Sequence, residues 1–174
     1  MGLILYRSKY GSTKKYADWL GEKTSFTVLP AKEATKTEIA NGEPLILCGA
    51  IYASGISGLS VLRKNQALLA GKKAAIFCVG ASPYDEKALE DVKKNNLRGD
   101  LGNIPLFYGR GAWDEGAMTA VDRTLCKMLQ KSLAKKDPSE YEPWMRALMS
   151  AAGKSCDWTD PVYLQPLLAW LGPA

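Results

Sequence analysis

The 174-residue chain contains no histidine. That absence excludes Ser-His-Asp and Cys-His catalysis, imidazole zinc sites, and the side chain that most often serves as a general base near neutral pH. Chemistry must therefore come from other side chains or from a bound cofactor. The cysteines, Cys48, Cys78, Cys126 and Cys156, are too widely spaced for a CxxC redox or zinc pair. They read as buried reduced thiols of a cytoplasmic protein, and no metal site is expected. A basic n-region ahead of an apolar stretch is also missing, because Leu3-Ile4-Leu5-Tyr6 is broken at Arg7 and Lys9, so no signal peptide is expected. Residues 44–62 carry no charge, but Pro44, Gly49, Gly55 and Gly58 with Ser54, Ser57 and Ser60 make that segment a buried strand and a small-residue loop rather than a membrane span. Internal repeats and low-complexity tracts are absent as well.

What is present is the composition of a globular protein, 47% hydrophobic and 24% charged, at a length suited to one domain. Lys and Arg number 23 against 18 Asp and Glu, for a net charge of +5. A basic balance suits anionic partners, though it bears first on solubility, and no nucleic-acid role is expected.

Short apolar runs recur along the chain, each followed by a small-residue turn and an amphipathic helical pattern, the signature of βαβ units and a parallel sheet. Strands are expected at 3–6, 26–29, 45–48, 74–79 and 104–108. The first leads into a helix over 13–20 with Tyr16, Ala17 and Leu20 inward, and 32–42 reads as a short helix or loop. Leu59, Leu62, Leu68 and Leu69 mark a helix ending at Gly71. Ser82-Pro83-Tyr84-Asp85 reads as a helix start capped by Ser82, with Ala88, Leu89 and Val92 inward. After the fifth strand, Met118, Val121, Leu125, Met128, Leu129 and Leu133 form one stripe, expected to pack in the core. The alternative is an interfacial membrane helix, since Lys127, Lys131, Lys135 and Lys136 line its polar side. The chain is expected to form a single domain, residues 1–174, with a core over about 1–136 and a helical extension over about 137–174. The extension holds helices at 141–152 and 161–171, joined by a loop.

In an open parallel sheet, ligands bind beyond the carboxyl ends of the strands. The first such loop, Ser8-Lys9-Tyr10-Gly11-Ser12-Thr13, offers hydroxyls, a flexible glycine and the amino end of a helix, which together suit a phosphate. It lacks the first glycine and the GK(S/T) ending of a GxxxxGK(S/T) loop, so nucleotide triphosphate hydrolysis is not expected. An ordinary capped helix would have the same look.

Ser8, Gly11 and Thr13 fit the pattern Ser/Thr-x-Thr-Gly-x-Thr, and on these residues the chain resembles the flavodoxin family, with Tyr10 where the family has threonine. Leu45 to Tyr52, reading LILCGAIY, resembles the family's third strand and the turn into its flavin site. The likeness spans most of residues 1–135. It implies a flavodoxin-like α/β fold with a doubly wound five-stranded parallel sheet of order 2-1-3-4-5. It also implies FMN bound by Ser8, Lys9, Tyr10, Gly11, Ser12 and Thr13, by Ala50, Ile51 and Tyr52, and by Gly80, Ala81 and Tyr84. Tyr52, and next to it Tyr84, are the candidates for stacking on the flavin; as plain structure, Tyr52 would cap the sheet edge and Tyr84 would face solvent.

A narrower resemblance is to flavodoxin-type protoporphyrinogen dehydrogenases. Their phosphate loops also depart from threonine at the Tyr10 position, Ala120-Val121-Asp122-Arg123 stands at their helix start after strand five, and Asp157-Trp158-Thr159-Asp160 is similar to their turn before the last helix. This implies an oxidoreductase moving electrons or hydride between a protoporphyrinogen- or quinone-type substrate and an acceptor. Arg110 and Trp113 are candidates to hold a carboxylated planar substrate, or else plain surface-loop residues, and Lys9 and Arg110 would bring positive charge to the flavin. Partners would be a small molecule or a redox protein, with peripheral membrane contact open. The alternatives are an electron carrier, which the basic charge disfavours, and a flavin-free binding module of the same fold.

Overall fold

Strands that are apolar at every position can be buried only if both faces of their sheet are covered. In the computed structural model, which describes residues 1–172, five largely apolar strands form one parallel sheet, the central ones buried on both faces: β1 (Leu3–Arg7), β2 (Thr27–Pro30), β3 (Leu45–Tyr52), β5 (Ala74–Gly80) and β6 (Leu106–Arg110). Their order, β2-β1-β3-β5-β6, is the 2-1-3-4-5 arrangement expected when the short β4 (Gly55–Ile56) is left out. β4 folds back antiparallel on the end of β3, pairing Ile51 with Ile56. Side-chain alternation divides the core in two. Leu3, Leu5, Leu45, Leu47, Ile76 and Cys78 face the layer made by α2 (Lys36–Asn41), α3 (Leu59–Lys64) and α4 (Glu86–Asn96). Ile4, Ile46, Cys48, Ala75 and Phe77 face α1 (Ser12–Thr24) through Tyr16, Ala17 and Leu20.

That second layer is completed from far along the chain. Beyond β6 the chain forms β7 (Ala112–Asp114), α5 (Ala120–Leu133), α6 (Pro143–Ala151) and β8 (Ser155–Asp157), then a 3-10 turn, Pro161–Leu164, and α7 (Gln165–Leu171). Leu164 and Leu167 are fully buried against Ile4, Tyr16, Leu20 and Phe77, and Trp170 lies against Phe107 with ring centroids 6.0 Å apart. The expected division at about residue 136 is therefore corrected: the last helix belongs to the core, because α1 alone does not cover the flank made by Phe77 and Phe107. The excursion is the stretch between β6 and that helix, closed at its base by the antiparallel pairing of β7 with β8, Trp113 opposite Cys156.

The stripe on α5 is also corrected. Only Leu133 is buried, whereas Val121 is 68% exposed, Leu125 51%, Met128 62% and Leu129 42%. With α7 filling the second layer, α5 packs on α6 instead of the sheet. Smaller differences have local causes. α4 begins at Glu86 with Asp85 as its cap, accepting from Ala88 N at 2.8 Å, because the Ser82 carbonyl is held by the Tyr108 hydroxyl at 2.5 Å; Ala88 is exposed. The helix expected from Leu59 divides at Asn65, whose amide side chain donates to the Val61 carbonyl, into α3 and a 3-10 turn.

If α7 completes the core, Leu167→Ala lowers unfolding free energy by about 2–5 kcal/mol, the usual cost of a cavity at a fully buried leucine. Urea denaturation checks this, and a loss below about 1 kcal/mol contradicts it.

Candidate functional site

The loops after β1, β3, β5 and β6 meet at the carboxyl ends of the strands. In the first, Gly11 precedes α1 with φ +98°, a conformation that L side chains rarely adopt, and nothing lies within 4 Å of where a Cβ would stand. Gly11 N donates to Ser8 Oγ at 3.1 Å. The helix carries no side-chain cap, and the amides of Ser12, Thr13 and Lys14 meet no acceptor among the described residues. Thr13 is buried, and Ser12 Oγ accepts from Ala112 N at 3.1 Å, which ties the loop to β7. Open amides on a 13-residue helix favour an anion, while Lys14 and Lys15 alongside are paired with Asp18 and Asp157.

Asp122, in the first turn of α5, reaches into this region from the excursion. One carboxylate oxygen accepts from Lys9 Nζ at 2.5 Å and from the Tyr10 hydroxyl, and the other accepts from the Tyr52 hydroxyl at 2.8 Å. Lys9 Nζ lies 5.4 Å from the Tyr10 ring centre and 5.3 Å from that of Tyr52, so both aromatic faces flank the cation. The lysine, followed by the two tyrosine hydroxyls, lowers the Asp122 pKa from an ordinary 3.8 to about 2, while the same carboxylate raises the Lys9 ammonium and the Tyr52 phenol. Asp122 is thus a fixed anion at neutral pH, and Lys9 is neutralised by it.

In the second loop Ala50 and Ile51 are half-buried and Tyr52 is half-exposed. Gly49 is required there, since a Cβ would come within 2.4 Å of the Ser57 carbonyl oxygen. Ala53 and Ser54 follow with φ of +46° and +63°, and Asn96 holds the turn by donating to the Ser54 carbonyl at 2.7 Å. In the third loop the Gly80 carbonyl accepts from Gly111 N at 2.8 Å, and the exposed Tyr84 ring lies 6.1 Å from Tyr108. Arg110 donates from Nε to the Ala81 carbonyl at 2.9 Å and lays its guanidinium 3.8 Å over the Trp158 ring. The aromatic platform beside Arg110 is therefore Trp158, not the Trp113 expected to serve with it. Trp113 sits in β7 with its indole N–H buried and unpaired among the described residues. That group lies outside hydrogen-bonding geometry to Glu115, whose carboxyl is lowered chiefly by Gln130.

Asp122 and Trp158 are the members of this cluster that the sequence reading did not place in a site. In the sequence Asp122 figures only as part of the resembling helix start Ala120-Val121-Asp122-Arg123; Thr119 caps that start, its hydroxyl accepting from Asp122 N at 3.3 Å, and the lysine partner of Asp122 is 113 residues away. Burial raises the Cys48 thiol to about 12 and lifts Cys78 further, which leaves both inert. Among the described residues no cluster of His, Cys, Asp and Glu can hold a metal ion and no helix is long and apolar enough to cross a membrane.

A family model described as a flavodoxin domain matches residues 3–140. None of the curated proteins matches the chain. Among solved structures, the Trp repressor binding protein from Bacillus subtilis is similar at 15% identity, over 64% of this chain and 85% of that one, with a TM-score of 0.45.

A carboxyl held below its ordinary pKa contributes stability that is present above that value and lost as the pH falls through about 2. Carboxyl NMR is expected to find Asp122 titrating near 2, and Lys9→Ala to move the midpoint up towards the ordinary range. An unchanged midpoint in the variant contradicts the pairing.

Proposed function

This chain belongs to the flavodoxin domain family, and we propose that it is an FMN-binding oxidoreductase whose cofactor phosphate sits on residues 8–13. The observation that carries this reading is the open amino end of α1, where the positive-φ Gly11 leaves free space above unpartnered amides. The donor set fits a phosphomonoester. Amide N–H groups and the hydroxyls of Ser8, Ser12 and Thr13 would hold it, and the helix dipole favours its charge. Tyr52 and Tyr84 offer aromatic faces on the second and third loops for a planar ring.

A bound flavin supplies transfer of hydride or single electrons, which is why a site without histidine suffices. The chain's own residues position and screen. Asp122 stays ionised and fixes the Tyr10 and Tyr52 hydroxyls, so it supplies no proton at neutral pH. Lys9 is neutralised by Asp122, whereas Arg110, spread over Trp158, is in no salt bridge among the described residues. A guanidinium on an indole face suits a planar organic substrate bearing a carboxylate or carbonyl, of the protoporphyrinogen or quinone type. The net charge of +5 favours such a dehydrogenase over an acidic electron carrier. One observation favours a second reading, a flavin-free binding module: the Asp122 bridge joins the first and second loops, both of which a bound flavin would have to contact.

Purified protein is expected to show flavin absorption bands, or to quench the fluorescence of added FMN. Ser12→Asp, which brings a negative charge to the phosphate position, is expected to weaken FMN at least about tenfold, equivalent to about 1.4 kcal/mol, and to leave riboflavin unaffected. No bands and no quenching overturn the reading in favour of the flavin-free module.

A further inference from the structure

α5 turns its polar anchors inward and its apolar side chains outward, the reverse of a helix that packs on a core. Its inner side is tied down: Asp122 is bound as above, Arg123 donates to the carbonyls of Glu115, Gly116 and Met118, Gln130 donates to Glu115, and Leu133 is buried beside α6. Val121, Leu125, Met128 and Leu129 project from the opposite side, within an arc of roughly 100° at the usual helical pitch. All four are among the largest exposed apolar side chains of the protein. Lys131 stands on the flank of that arc, and Lys135 and Lys136 follow the last turn, whereas Lys127 lies on the tied-down side with Glu115. None of these lysines is in a salt bridge among the described residues. The single carboxylate of α5, Asp122, is turned away and satisfied.

We propose that this face of α5 docks on the surface of an anionic lipid bilayer, with the four apolar side chains entering the headgroup boundary and Lys131, Lys135 and Lys136 meeting lipid phosphates. Charge decides the occupant. A second copy of the chain would bring the same lysines against one another, and a negatively charged surface would relieve them. A single helix standing out from the fold offers a ridge rather than a groove, which suits a flat layer better than a peptide. Neither half of the face is enough alone, since four partly exposed apolar side chains are a small anchor, so binding depends on both and weakens with salt. Asp122 holds the start of α5 at residues 9, 10 and 52, so docking brings the loops at the carboxyl ends of the sheet to the bilayer surface. That placement suits a lipid-soluble substrate, a consequence that rests on the proposed function; docking itself does not.

Cosedimentation of the full chain with vesicles tests this without reference to flavin. The protein is expected to bind phosphatidylglycerol-rich vesicles at low salt, to leave them as salt is raised, and to ignore pure phosphatidylcholine. Leu125→Glu with Met128→Glu, and separately Lys131→Glu with Lys135→Glu, are each expected to weaken binding at least about tenfold. The substituted side chains are exposed, so unchanged circular dichroism is expected to accompany the loss. The proposal is overturned by no binding to anionic vesicles, by binding that the apolar pair leaves intact, or by a wild-type dimer that Leu125→Glu dissociates.

Discussion

A parallel sheet of apolar strands must be covered on both faces, and here the second face is not closed until the chain reaches Leu164 and Leu167. The arrangement of the last third of the molecule follows from that requirement. β6 ends at the carboxyl edge of the sheet, and the helix that completes the layer starts after residue 160, so the stretch between them must leave and return at the same edge. The β7–β8 pairing closes its base, and α5 and α6 are left standing beside the loops where open α/β sheets bind ligands. A structural demand of the core thus places the excursion at the candidate site.

Electrostatics then hold it there. Asp122 would be costly to bury alone, but a lysine and two tyrosine hydroxyls satisfy it, and they come from the loops after β1 and β3. The same contact cancels the charge of Lys9, leaving the phosphate position to amides and hydroxyls. Farther along, the Tyr16 hydroxyl donates to the Arg110 carbonyl at 2.6 Å and accepts from Asp160 N at 3.1 Å. Through it, α1, β6 and the turn before α7 share one buried group. Its pKa is pushed up to about 12, foremost by burial, so it remains a neutral phenol across the physiological range.

Much of the fold could be read from residue patterns, because strands apolar on both faces and turns of Gly and Ser have local causes. The order of the strands was implied by the resemblance to the flavodoxin family and not by the strands themselves, and the open helix start was visible in Ser8, Gly11 and Ser12. The patterns could not say what covers a face. The 3.6-residue periodicity of Val121, Leu125, Met128 and Leu129 marks one side of a helix whether a core or solvent lies against it, and the burial of Leu164 and Leu167 removed the vacancy that α5 would have filled. Long-range pairs were invisible for the same reason. Nothing near Asp122 points to Lys9, and nothing near Arg110 chooses Trp158 over the nearer Trp113. Ser82-Pro83 carried a sound capping signal, overruled when the Tyr108 hydroxyl took the Ser82 carbonyl.

We propose a mononucleotide phosphate site at the start of α1, beside the first turn of α5. Hydrogen–deuterium exchange of the full chain with and without saturating FMN tests it most directly. Slower exchange at residues 11–15, together with altered exchange at residues 119–123, is the predicted result. Unchanged exchange at residues 11–15 under saturating FMN would contradict it.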